Sequence, residues 1–181
     1  MRAGNGPPRV AGMQLSDKLE SAFNAQITLE LEASHVYRQL AIEMERIDLP
    51  GMAAWLRRQA DEEIVHANKF IDHVAARDNH PVIGGINAPE VSVTSALEAF
   101  TSALQHERRV SESIRELYRA AEADGDLDSR PLLNFFIEEQ IEEEATVSEI
   151  VGRLEMIRDD GPGLLRLDAE LAARPAGTTE A

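Results

Sequence analysis

Four long stretches of this chain carry apolar residues in a three/four alternation, and each is interrupted near its middle by a glutamate on the apolar line. The first seam reads Leu19, Phe23, Gln26, Glu30, Ala33, Tyr37, Leu40, Met44. The second reads Met52, Trp55, Gln59, Glu63, His66, Phe70, Val74. The third reads Phe100, Ala103, Glu107, Val110, Ile114, Leu117, Ala121, and the fourth Leu132, Phe136, Gln140, Glu143, Val147, Ile150, Leu154. Such spacing gives each helix one buried stripe and packs the four as a bundle. The fold class is therefore all-α, and composition agrees. Aromatic residues make up 4%, hydrophobic residues 43%, and good helix formers dominate.

Punctuation sets the connections. Ser16 is a good N-cap, with Asp17 and Glu20 in the first turn where the helix dipole favours acids, and the first helix is predicted to run to about Arg46. Asp48-Leu-Pro-Gly51 breaks it, and Pro50 suits the first turn of a second helix running to about Arg77. So short a connection makes the first two helices antiparallel neighbours. The stretch from Asn79 to Val91 holds Pro81, Gly84, Gly85 and Pro89, which exclude a helix. It is long enough to span the bundle lengthwise, so the second and third helices run the same way, as in a four-helix bundle with one long crossover. The third helix is predicted to start near Thr94 or Ser95, where Ser95-Ala-Leu-Glu98 fits a capping box, with Gly125 as its C-terminal cap. The fourth opens at Ser129-Arg-Pro131 and stops at Asp160-Gly-Pro-Gly163, and a short fifth helix is predicted from Leu164 to about Ala173. The expected organisation is a flexible arm over 1–15, the bundle with its fifth helix over 16–174, and a flexible tail over 175–181.

The net charge of -15 makes nucleic acid and anionic lipid poor partners and suits a protein that collects cations. With no cysteine there is no disulfide or thiolate site. The N-terminal segment has no apolar signal region, and no apolar run is long enough to span a bilayer. The expectation is a soluble, cytoplasmic protein.

The chemistry lies in the seam interruptions. Glu63 and His66 are one turn apart on one helix face, a spacing that lets a carboxylate and an imidazole grip one metal ion. A single Glu-x-x-His is commonplace, and Glu32-Ala-Ser-His35 is another in this chain. Glu30, Glu107 and Glu143, with Gln140, change the weight, because in this packing all these mid-points coincide. Buried carboxylates are costly without partners, and four together call for cations, two better than one. Oxygen donors with one imidazole suit iron or manganese, and also zinc. A second acidic line, Glu62, Glu139 and Glu142, is explained as well by a solvated surface as by an extra cation site. Tyr37 by itself reads as a core tyrosine, Trp55, Met44 and Met52 as core, and His35, His73, His80 and His106 as surface or loop. Asp124, Asp126 and Asp128 suit a cation inlet or ordinary turn chemistry equally. A metal oxidase acting on an organic substrate needs a central apolar pocket, for which Phe70, Phe100 and Phe136 are candidates. A bundle with a purely structural metal is the remaining alternative.

Taken together, Asn24-Ala-Gln-Ile-Thr-Leu-Glu-Leu31 with Tyr37, Leu56-Arg-Arg-Gln-Ala-Asp-Glu-Glu-Ile-Val-His66, Glu107, and Glu138-Glu-Gln-Ile-Glu-Glu-Glu144 resemble the ferritins, in particular the non-haem bacterial type, from about Ser16 to Ala173. The resemblance implies a ferritin-like bundle and a ferroxidase centre. Glu30, Glu63 and His66 would hold the first iron, with Glu63 bridging. Glu107 and Glu143 would complete the second, with Gln140 as a hydrogen-bonding neighbour. Glu62, Glu139 and Glu142 match a third iron site that shares Glu143, and Tyr37 matches the tyrosine beside the centre. Fe(II) and O2 are the implied substrates, and a homo-oligomeric shell of twenty-four subunits storing ferric mineral is the implied assembly. Haem is not expected. The fourth helix reads Gln140-Ile-Glu-Glu143 where a haem-binding relative carries a second Glu-x-x-His, and Ile64 stands where that relative carries a methionine.

Overall fold

A computed structural model describes residues 14–173. Five helices follow in order: α1 (Asp17–Arg46), α2 (Pro50–Ala76), α3 (Ala96–Asp124), α4 (Arg130–Ile157) and α5 (Gly161–Ala173). The predicted caps are in place. The Ser16 and Ser95 hydroxyls accept from the Leu19 and Glu98 amides, and Gly125 ends α3 at φ 75°, a left-handed conformation natural to glycine. The fifth helix begins at Gly161 rather than Leu164, because Pro162 is accommodated in a first turn.

α1 pairs with α2, and α3 with α4. The crossover between α2 and α3 is tied along α1 by side chains. The Asn24 amide donates to the His80 carbonyl at 3.2 Å and accepts from the Val82 amide at 3.0 Å, and Thr28 Oγ1 accepts from the Gly84 amide at 2.9 Å. The loop thus runs lengthwise and delivers α3 to the opposite end, which aligns the helix mid-points.

The apolar interior is in two blocks. One gathers Tyr37, Met44, Met52, Trp55, Phe100 and Leu154, and the other gathers Phe23, Ile27, Phe70, Val74, Ile114 and Phe136. Between them lie buried Glu30, Glu63, His66, Glu107 and Gln140. Every seam residue named on the first three helices is buried. At the start of α4 the buried leucine is Leu133, while Leu132 and Glu143 of the predicted seam are only partly buried.

Helix α5 is docked on the start of α2. Leu167 and Leu171 are buried, the Asp168 carboxylate accepts from the Met52 amide at 2.7 Å, and Arg58 donates to the Leu171 carbonyl at 2.6 Å. At the other end Arg77 pairs with Asp126 at 2.8 Å, and Ser129 bonds both Asp126 and His73. His73 and His106 are half-buried rather than surface residues, whereas His35 and His80 are exposed. Leu15, the last residue of the expected arm, is buried, and its amide donates to Asn79 Oδ1 at 2.8 Å. Residues 1–13 of that arm and the expected tail, 175–181, lie outside the described residues. Among the described residues no helix is long and apolar enough to cross a membrane.

Candidate metal centre

Each of the first four helices places one piece of the polar layer. Glu30 comes from α1, Glu63 and His66 from consecutive turns of α2, Glu107 from α3, and Gln140 and Glu143 from consecutive turns of α4. Glu30, Glu63 and His66 are buried and offer ligand atoms that all lie within 4.8 Å of one another. His66 Nδ1 is 3.4 Å from Glu63 Oε2. Glu30 Oε2 and His66 Nε2 are buried with no hydrogen-bond partner among the described residues. Two orphaned polar atoms among carboxylates are costly in a closed protein, and a cation removes the cost.

The other half of the layer is held by hydrogen bonds. The Tyr37 hydroxyl donates to Glu107 Oε1. Gln140 Nε2 donates to Glu107 Oε2 at 3.1 Å and to Ser111 Oγ at 3.3 Å. Glu143, only partly buried, accepts from Gln59 Nε2 at 3.2 Å. Burial, followed by the charge of Glu63, holds Glu30 well above the usual carboxylate range. Burial and then Glu107 do the same to Glu63, and burial raises Glu107. Glu143 is pushed up to about 8 by burial, Glu107 and Glu62. The Tyr37 phenol is raised by burial and by the charges of Glu107, Glu143 and Glu63. Burial thus disfavours the ionised form of these carboxylates, and a cation held among them would favour it.

Glu62, His66 and Glu139 form an outer cluster whose ligand atoms also lie within 4.8 Å of one another, so His66 belongs to both groups. Glu62 is half-buried and raised by burial. Glu142 is exposed and belongs to neither cluster. Asp126 is committed to Arg77 and Ser129, whereas Asp124 and Asp128 are exposed beside a cavity of about 320 Å³. The phenylalanines that a substrate pocket would need are packed instead. Phe70 and Phe136 stack at 4.1 Å, and Phe100 is closed against Trp55 at 5.4 Å.

Sequence reasoning missed the neutral supports. Gln26 donates to Glu30 Oε1 at 2.8 Å and accepts from Ser113 at 2.6 Å, so the Glu30 carboxylate is oriented from behind. Gln26 and Gln59 both stand in the seams four residues before a buried glutamate, and that spacing was the available signal.

A four-helix bundle with one long crossover, a glutamate from each of two helices and a Glu-x-x-His on a third has the architecture of the ferritin-like carboxylate proteins. Here Gln140 and Glu143 occupy the fourth helix, where that class often carries a second Glu-x-x-His. Comparison agrees, and the chain belongs to the ferritin family, whose profile, described as a ferritin-like domain, matches residues 20–157. It is 36% identical to a bacterial non-heme ferritin of Staphylococcus epidermidis over 160 residues, covering 88% of this chain and 96% of the relative. It is 31% identical to the bacterial non-heme ferritin of Escherichia coli over 158 residues, or 87% and 96% of the two chains. The open-pore ferritin of the hyperthermophilic archaeon Archaeoglobus fulgidus superposes with a TM-score of 0.88 at 34% identity, over 90% of this chain and 99% of that one.

Proposed function

We propose that this protein stores iron and is a ferroxidase, oxidising Fe(II) to Fe(III) with O2 inside each subunit. The observation that carries this is the pair of orphaned buried atoms, Glu30 Oε2 and His66 Nε2, in a layer of raised carboxylates. In this reading Glu30, Glu63 and His66 take one Fe(II), with Glu63 bridging to a second held by Glu107 and Glu143. Gln140 orients Glu107 from behind. Glu62 and Glu139 with His66 form an outer stopping point, which Glu142 joins only by turning inward.

Carboxylate oxygens favour Fe(III) over Fe(II) and so drive the oxidation. For each O2 reduced to hydrogen peroxide, two Fe(II) each give one electron and two protons are taken up. Tyr37, whose hydroxyl donates to Glu107, stands beside the reacting ions and orients that carboxylate. The product Fe(III) leaves past Glu143 as oxo-hydroxide. The proposal includes a homo-oligomeric shell of twenty-four subunits with mineral inside, a cytoplasmic setting, and no bound haem.

The test is an anaerobic Fe(II) titration followed by mixing with air, on wild type and on Glu63→Ala and Glu143→Ala. Fast oxidation that saturates near two Fe(II) per chain and is lost in both variants supports the site. Wild-type rates in the variants overturn it. A native mass measurement tests the shell separately.

A further inference from the structure

Gln59 stands where the two acidic groups meet. It lies on α2 one turn before Glu62 and Glu63 and is 9% exposed. Its amide nitrogen donates to Glu62 Oε2 and to Glu143 Oε2, each at 3.2 Å. Both amide hydrogens are thereby used, one on each carboxylate. Glu62 belongs to the outer cluster with His66 and Glu139, while Glu143 faces Glu107 of the inner layer. Glu62 and Glu143 repel each other as like charges, and a neutral two-hydrogen donor lets them stand side by side. A lysine here would occupy a cation's place, and a glutamate would add another negative charge. A cation that draws either carboxylate toward itself weakens the bond on that side and leaves the amide free to tighten on the other.

We infer that Gln59 is a positioning residue that couples filling of the inner centre to filling of the outer cluster, through its paired hydrogen bonds to Glu143 and Glu62. The inference rests on the reading of the layer as a cation site. Glu143 is the last inner carboxylate on the way out and Glu62 is a member of the outer group, so the amide joins the two ends of one transfer step. Hydrogen-bond donors behind metal ligands characteristically change affinity by about 10–100-fold when removed. A coupling between two sites must also act equally in both directions.

A double-mutant cycle with Zn(II), a redox-inert stand-in for Fe(II), tests this. Glu139→Ala removes the outer cluster without touching Gln59. Zn(II) affinity at the inner centre is measured by calorimetry in wild type, Glu139→Ala, Gln59→Leu and the double variant. With Gln59 present, Glu139→Ala is expected to change inner affinity by about fivefold or more, within the usual range for coupled sites. In the Gln59→Leu background the same change is expected to fall below about twofold. An equal factor in both backgrounds overturns the inference and leaves the link to His66, shared by both clusters, and to the direct charge interaction of Glu143 with Glu62 and Glu139. A residue that merely fills space would lower the melting temperature and leave the factor unchanged. Zn(II) binding that is the same in wild type and Glu30→Ala would overturn the proposed function as well, which separates the two failures.

Discussion

Tyr37 on α1 donates its hydroxyl to the carboxylate of Glu107 on α3, two residues 70 positions apart in the chain. The bond joins the apolar block around Trp55 to the polar layer, since the Tyr37 ring also meets Trp55 edge-on at 6.5 Å. Tyr37→Phe keeps the ring and removes the donor. Metal-free stability is expected to fall by about 1 kcal/mol, because Gln140 still serves Glu107. Fe(II) stoichiometry is expected to stay the same while the oxidation rate drops about tenfold. Chemical denaturation and stopped-flow absorbance check the two halves.

The raised carboxylates give a pH dependence whose sign is fixed. Glu143 moves from 4.5 to about 8 on folding, so between those values the native state holds a proton that the unfolded chain has lost. Metal-free stability is therefore fully supported below pH 4.5 as far as this group is concerned, and declines as pH rises toward 8. The decline is expected to be on the order of a few kcal/mol. Loading with Zn(II) should reverse it and release protons, which thermal melts at stepped pH and calorimetry in two buffers will show.

A site built from buried like charges trades stability for binding. Glu63→Gln removes the charge and nearly keeps the shape. The metal-free variant is expected to be more stable than wild type at pH 7.5, by about 1–3 kcal/mol, while losing fast iron oxidation. Urea midpoints measured after chelation decide this.

The Asp168 carboxylate adds a hydrogen bond to the docking of α5 by Leu167, Leu171 and Arg58. Asp168→Ala leaves the Met52 amide without its partner and is expected to cost about 1–2 kcal/mol. Gly51→Ala should act more severely, since an added Cβ would lie 1.9 Å from the Asp168 carbonyl oxygen and must displace α5. Hydrogen exchange over 161–173 should rise in both variants, and more in the second.

The far end of the bundle depends on Arg77. It donates two bonds to Asp126 and one to Ser129, with both charged side chains almost wholly enclosed. Removing one member of an enclosed ion pair is expected to cost about 3 kcal/mol, so Arg77→Ala should lower the melting temperature by several degrees without changing Fe(II) stoichiometry.

The helices, their caps and the level at which Glu30, Glu63, Glu107 and Glu143 meet were legible because each depends on local spacing and on one rule of connection. A glutamate in place of a leucine on a periodic stripe is a strong local signal. The supports were not legible, because their meaning lies in partners far along the chain. Gln59 reaches Glu143 across 84 positions, and Asp168 reaches Met52 across 116. His73 was misplaced for the same reason, since its partners Ser129 and Phe23 lie far along the chain. His106 sits off the stripe of α3 yet is half-buried, and burial holds it down to about 4. Glu142 shows the converse, an acid in a dense acidic run that points outward.

The division of the greasy interior into two blocks has a consequence for how cargo is handled. Cohesion resides at the two ends, each shut by its own aromatic and aliphatic plug, so the waist between them is free to change its charge. Ions and protons can come and go there like coins through a turnstile whose posts are set in concrete. Loading and unloading then require side-chain movement at the waist, and the rods that carry those side chains can stay where they are.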